Sequence, residues 1–161
     1  MAANELYDLI AERSMSSAFQ NYFESLSEDQ KIMVGLELMA LRTWAVSHAV
    51  HMEITDGTEE DRIIKHIESS LMQDCSENIF QFLIMRVSMY NGLNQLSKPF
   101  EFIGSQFKSN IQDINPKLGS ISDKDIIEMM QLFFEEAKDI ITKKDVKPEV
   151  GKRWPFNLFK K

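Results

Sequence analysis

Cysteine occurs once, at Cys75, so the chain cannot form a disulfide within itself. Six glycines and four prolines in 161 residues leave too few turn formers for an all-β fold, and no proline precedes Pro99 to interrupt an early helix. Residues 1–14 carry Glu5, Asp8 and Glu12 and no apolar run of signal-peptide length. With the lone cysteine, this points to a cytoplasmic protein. The chain has no Gly-rich phosphate loop, no nucleophile elbow, no H-E-x-x-H and no Glu-x-x-His pattern. Enzymatic activity is therefore not expected, nor is a cofactor.

Basic residues are scarce until the end of the chain. Residues 1–142 hold 11 Lys and Arg against 23 Asp and Glu, or −12, whereas residues 143–161 hold 7 against 2, or +5. An acidic body repels phosphate backbones, so nucleic acid is not an expected partner of the body.

What the chain does have is helical patterning. Ser27 and Gln30 are spaced as a capping box, and Glu28 and Asp29 follow where the helix dipole favours negative charge. From there to Ile54, apolar residues fall on nearly every side of a helix of about 26 residues, roughly 40 Å long. Such a rod is normally buried. Its length would also cross a bilayer, but Glu37, Arg42, His48, His51 and Glu53 would be costly there.

A second strongly apolar stretch, residues 77–96, contains Phe80, Phe82, Leu83, Ile84, Met85, Val87, Met89 and Tyr90, and is expected to be the buried partner of the first. Around this pair, single-sided apolar stripes mark amphipathic helices. One is Ile63, Ile64, Ile67 and Leu71, with Thr58 as its expected cap. Another is Phe100, Ile103, Phe107 and Ile111, opened by Ser97. A third is Ile126, Met130, Phe133, Ala137 and Ile140, opened by Ser122. The expected architecture is all-α: a six- or seven-helix globular bundle with two central buried helices at about 28–54 and 77–96, forming one domain over residues 1–142.

Two places could carry function. On the first apolar helix, Glu37, Trp44, His48 and His51 follow i, i+7, i+11, i+14 and share one narrow seam. Two histidines at i, i+3 could grip one metal ion, but no further ligands stand at diagnostic spacing, so no metal site is expected. The same seam could line a ligand pocket. Arg42 and Arg86 are isolated cations within apolar helices, and each needs a carboxylate if it is buried. Cys75 lies between Asp74 and the nearby Glu77, whose charges oppose thiolate formation.

The second place is the tail, residues 143–161, where Trp154, Phe156, Leu158 and Phe159 are framed by Lys152, Arg153, Lys160 and Lys161. Basic and aromatic side chains together suit docking on the acidic body, on a partner, or on a membrane surface. These features lead to the expectation of a non-enzymatic interaction or regulatory protein. It would bind a partner protein through its acidic helical surface or through the tail residues Lys152, Arg153, Trp154, Phe156 and Phe159. The alternative is a small-molecule sensor with a pocket near Trp44, His48 and His51. A homodimer built on the apolar helices is also compatible with the pattern.

Overall fold

A computed structural model describes residues 2–13, 17–142 and 152–153. Among them are seven α-helices: α1 (Ala2–Ala11), α2 (Ser17–Glu24), α3 (Glu28–Glu53), α4 (Gly57–Asp74), α5 (Glu77–Leu93), α6 (Pro99–Ile114) and α7 (Asp123–Ile141). A 3-10 turn (Pro116–Ser120) links the last two. The only extended pairing among the described residues is a two-residue antiparallel ladder, Glu12 with Arg153 and Arg13 with Lys152. The architecture is an all-α helical bundle, as expected.

The bundle is organised around α3. Its capping box is formed: the Ser27 hydroxyl accepts from the Gln30 amide, and the Ser27 amide donates to Gln30 Oε1, each at 3.3 Å. The Gln30 side chain also donates to the Ile114 carbonyl and accepts from Asn115, which ties the cap to the end of α6. Fourteen residues of α3 between Val34 and Val50 are buried.

Cross-helix contacts give the directions of its neighbours. The Glu37–Arg86 and His48–Asn94 pairs mean that α5 runs the same way as α3, and the Arg42–Phe133 and Glu53–Lys138 pairs do the same for α7. The Glu37–Asn110 and Trp44–Phe100 contacts set α6 antiparallel. Against α7, α6 packs closely at Gly104, where an added Cβ would meet Met130 Sδ at 3.4 Å and Ile126 Cγ2 at 3.5 Å. α1 lies along α4 and also touches α3 and α7, and the Tyr7 hydroxyl donates to Asp74.

Several local expectations change. Asp56, not Thr58, caps α4: its carboxylate accepts the Thr58 amide at 2.9 Å. The residue before α6 is Lys98, which caps it without a side-chain bond, while Pro99 sits in the first turn, where a missing amide costs nothing. Ser122 does cap α7, accepting from the Asp125 amide.

The expected partner helix of α3, α5, is present but less enclosed than α3. It packs on α3 but ends at Leu93, short of residue 96, and only Leu83 and Tyr90 along it are buried. Phe80, Phe82, Ile84, Val87 and Met89 are half-buried, and Met85 is 56% exposed. The neighbour packed most extensively on α3 is α7, whose amphipathic stripe of Ile126, Met129, Met130, Phe133 and Ala137 is buried. No helix among the described residues is long and apolar enough to cross a membrane.

Candidate functional site

The seam of α3 does not form one pocket. Glu37 and His51 are 14 residues apart, roughly 20 Å along the helix, and the structure gives the four residues three different environments.

Glu37 is buried, with its side chain 4% exposed. Arg86 of α5 reaches it from a more open position, placing Nη2 2.8 Å and Nε 3.0 Å from Oε1. The Arg86 Nε also lies 3.1 Å from Glu37 Oε2, and the Asn110 amide of α6 donates to that same oxygen at 3.3 Å. Asn110 in turn accepts from Gln106, and lies at the limit of hydrogen-bonding reach from the Tyr90 hydroxyl. Burial pushes the Glu37 carboxyl above the usual carboxylate range, and the Arg86 and Asn110 hydrogen bonds only partly offset this. The result is a polar junction of α3, α5 and α6, in which a buried carboxylate is held by a guanidinium whose other face lies over the Phe82 ring at 5.1 Å.

Trp44 and His48 form the second environment. Trp44 is fully buried and stacked on the His48 imidazole, with centroids 5.1 Å apart and planes 11° from parallel. Phe100 meets Trp44 edge-on at 5.7 Å, and Phe134 lies 5.5 Å from His48. The Asn94 amide nitrogen is 3.3 Å from His48 Nδ1. This hydrogen bond ties the start of the loop after α5 to the imidazole, with the direction of donation set by the ring tautomer. Burial, followed by the charge of His51, pulls the His48 pKa below its ordinary value, so this ring is neutral at neutral pH. Two polar atoms here, Trp44 Nε1 and Asn94 Oδ1, are sealed from solvent without a hydrogen-bond partner.

His51 is separate from both. It is 68% exposed and pairs its Nδ1 with Glu60 of α4 at 2.8 Å. Among the described residues no three His, Cys, Asp or Glu side chains are gathered as a metal would need. Cys75 is buried, and burial together with Asp74 pushes its thiol up to about 11, so it is protonated and poorly nucleophilic at neutral pH. Arg42 is also buried, its guanidinium 4.6 Å over the Phe133 ring. Of the tail residues, Trp154, Phe156 and Phe159 lie outside the described residues, and for Lys152 and Arg153 only the backbone is described.

Sequence spacing missed Asn94, Phe100, Asn110 and Phe134, because each arrives from another helix. One signal did point across: Arg86 is the only cation between Glu77 and Lys98, and an isolated cation in an apolar helix calls for a carboxylate.

The outward side of α5 is the other unusual surface. Glu77, Asn78, Gln81, Met85, Ser88, Asn91 and Gly92 are exposed along this helix, and only Glu77, in its first turn, carries a charge. From residue 78 to 97 the one ionised group is Arg86, already held by Glu37. Comparison of the chain with protein-family models, with curated proteins and with solved structures finds no match.

Proposed function

We propose that this chain is a non-enzymatic helical interaction protein that binds a partner protein. The observation that carries this is the exposed side of α5, where Met85 is 56% exposed and Phe82 and Met89, three and four residues away on the same side, are half-covered. Apolar surface left beside water loses about 25 cal/mol per Å² relative to burial, and a contiguous patch of it marks a contact site. Exposed methionine suits such a role because its unbranched thioether adapts to different partner shapes. The groups that might otherwise do chemistry are engaged elsewhere: Glu37 with Arg86, His48 with Asn94 and Trp44, and Cys75 as a buried thiol. The acidic body and the tail residues Lys152, Arg153, Trp154, Phe156 and Phe159 supply further contact chemistry of opposite sign.

The test is a photo-reactive amino acid placed at Met85 in the full chain, expressed in its native cell, with Lys124 on α7 as a charged-surface control. A discrete adduct at Met85, absent at Lys124, is expected. Equal or absent adducts at the two positions would sink the proposal.

A second reading, a small-molecule sensor, is favoured by one observation. Trp44 Nε1 is a buried donor and Asn94 Oδ1 a buried acceptor, both unpartnered around His48. An unmatched buried polar group costs about 1–3 kcal/mol, which a small ligand offering one acceptor and one donor would recover. His51 would take no part, since it faces Glu60. Native mass spectrometry of gently purified protein decides this: a bound mass lost on Trp44→Phe supports the sensor, and a bare chain removes it.

A further inference from the structure

We infer that the outward face of α1 is the docking site of residues 154–161 of the same chain, led there by the ladder between residues 12–13 and 152–153. The contact lies within one chain and does not depend on a partner for α5.

The ladder fixes where the tail arrives. Glu12 pairs with Arg153 and Arg13 with Lys152, antiparallel, and residues 12–13 directly follow α1. Lys152 is ten positions after Thr142, the cap of α7, and ten residues reach at most about 35 Å when extended. Since α7 touches α1, that reach suffices. In an antiparallel pair the chain beyond Arg153 heads back toward Ala11, and so toward α1. Eight residues remain, roughly 27 Å when extended. The ten residues of α1 rise only about 15 Å, so the segment is long enough to cover the helix.

The chemistry of α1 matches what arrives. Ala3, Leu6, Leu9 and Ile10 are buried on its inner side, and Asn4, Glu5 and Asp8 are exposed on its outer side. The helix contains no Lys, Arg or His, and Asp8 stands in its last turn, at the end where the dipole favours cations. Glu5 and Asp8 are also neighbours at i, i+3, a like-charge pair that α1 does nothing to offset. A cation for this face has to come from elsewhere. Residues 143–161 hold 7 Lys and Arg against 2 acids, and this is the segment that the ladder delivers. Acid is spread over the whole body, so charge alone would not choose a site; the ladder does. Trp154, Phe156 and Leu158 alternate with Pro155 and Asn157, the period of an extended segment with one apolar side. Tyr7 and Ala11, at i and i+4 beside Asp8, are half-buried and leave apolar surface for that side to cover. A partner that binds the tail would have to displace it from α1.

The experiment is paramagnetic relaxation in the full chain, with Asn157→Cys carrying a nitroxide. Cys75 is buried and its thiol is pushed up to about 11, so the label goes to the new cysteine. The amides of α1 are expected to broaden, while those of α6 keep their intensity. Asp8→Lys should reduce the broadening severalfold. Asp113→Lys, which reverses an exposed acid on α6, should leave it unchanged. Asp8→Lys supplies the cation that the dipole of α1 favours, so this variant keeps its fold, which circular dichroism checks. A second sample mixes isotope-labelled chain without the nitroxide and nitroxide-bearing chain without isotope, and no broadening is expected in it. The inference is overturned if the α1 amides keep their intensity, if another helix broadens in their place, if Asp8→Lys and Asp113→Lys act alike, or if broadening arises only between chains. The Met85 adduct tests the partner of α5 separately, so either result can fail without the other.

Discussion

Helices α4 and α5 are consecutive, 18 and 17 residues long, and both pack on α3, yet they meet water in opposite ways. α4 buries Ile63, Ile67 and Leu71 at four-residue intervals and turns Asp61, Arg62, Lys65 and Glu68 outward. α5 buries only Leu83 and Tyr90, and turns outward Glu77, Asn78, Gln81, Met85, Ser88, Asn91 and Gly92, of which one is charged. In α4 the apolar residues number about what one face can bury. In α5 they exceed it, so that Phe80, Phe82, Ile84, Val87 and Met89 are half-buried and Met85 is exposed. Apolar periodicity therefore tells how much cover a helix needs, and the difference between the two helices is the cover that the described part of this chain does not supply.

The largest effect should come from breaking the attachment of α5. With so little of it enclosed, α5 depends on the Glu37–Arg86 junction more than α4 depends on any one polar contact. Arg86→Ala leaves the Glu37 carboxylate buried without its guanidinium, a loss of about 3–5 kcal/mol in urea unfolding. The pH dependence gives a signature. The folded pKa of Glu37 already lies above its unfolded value, and removing Arg86 takes away a cause that lowers it. The folded variant thus takes up a proton before the unfolded chain does as pH falls, so its deficit should shrink on acidification through that folded pKa. A deficit that stays constant would show that the junction is not electrostatic.

Next come the buried apolar anchors. Leu83→Ala and Ile67→Ala each remove a side chain that is 2% exposed or less, and each should cost about 3 kcal/mol. Equal losses would show that both helices are packed alike where they touch the core, leaving the contrast to their outer sides. A loss at Leu83 well below that at Ile67 would mean that α5 is loosely seated even on its inner face.

These residues also show what the sequence could and could not convey. The capping box of α3 was legible because it is a contact between Ser27 and Gln30, three residues apart. The cap of α4 was misplaced by two residues because Asp56 and Thr58 both suit the position, and only the backbone decides which carboxylate or hydroxyl reaches an amide. Periodicity placed Glu37, Trp44, His48 and His51 along one side of α3. It could not say what faces each, since Arg86, Phe100, Phe134 and Glu60 come from four other helices. For α5, composition announced a demand for burial but not the source of the cover.

A smaller effect distinguishes the two histidines of α3. His48 lies inside the aromatic cluster with a lowered pKa. Below its ordinary value of 6.5, the unfolded chain binds a proton that the folded ring refuses, so stability should fall as pH drops from there to the folded pKa, and no further. His48→Gln should remove that slope. Glu37 works in the opposite direction at lower pH, so the difference between wild type and His48→Gln isolates the histidine. Chemical denaturation at about pH 7.5 and about pH 5.5, bracketing the ordinary histidine range, is the measurement.

The smallest effects test whether α4 and α5 differ only in their outer sides. Each starts at a side-chain cap: Asp56 accepts the Thr58 amide at 2.9 Å, and Ser76 accepts the Ile79 amide at 3.4 Å. Each also has acid in its first turn, Glu59 and Glu60 in one and Glu77 in the other. Asp56→Ala and Ser76→Ala should therefore each cost about 1 kcal/mol, with Asp56 the larger because its bond is shorter and charged. Hydrogen exchange gives a finer readout than global unfolding, since a lost cap frays only the first turn. If Ser76→Ala instead releases exchange along all of α5 while Asp56→Ala frays α4 only at its start, the two helices differ in seating as well as surface.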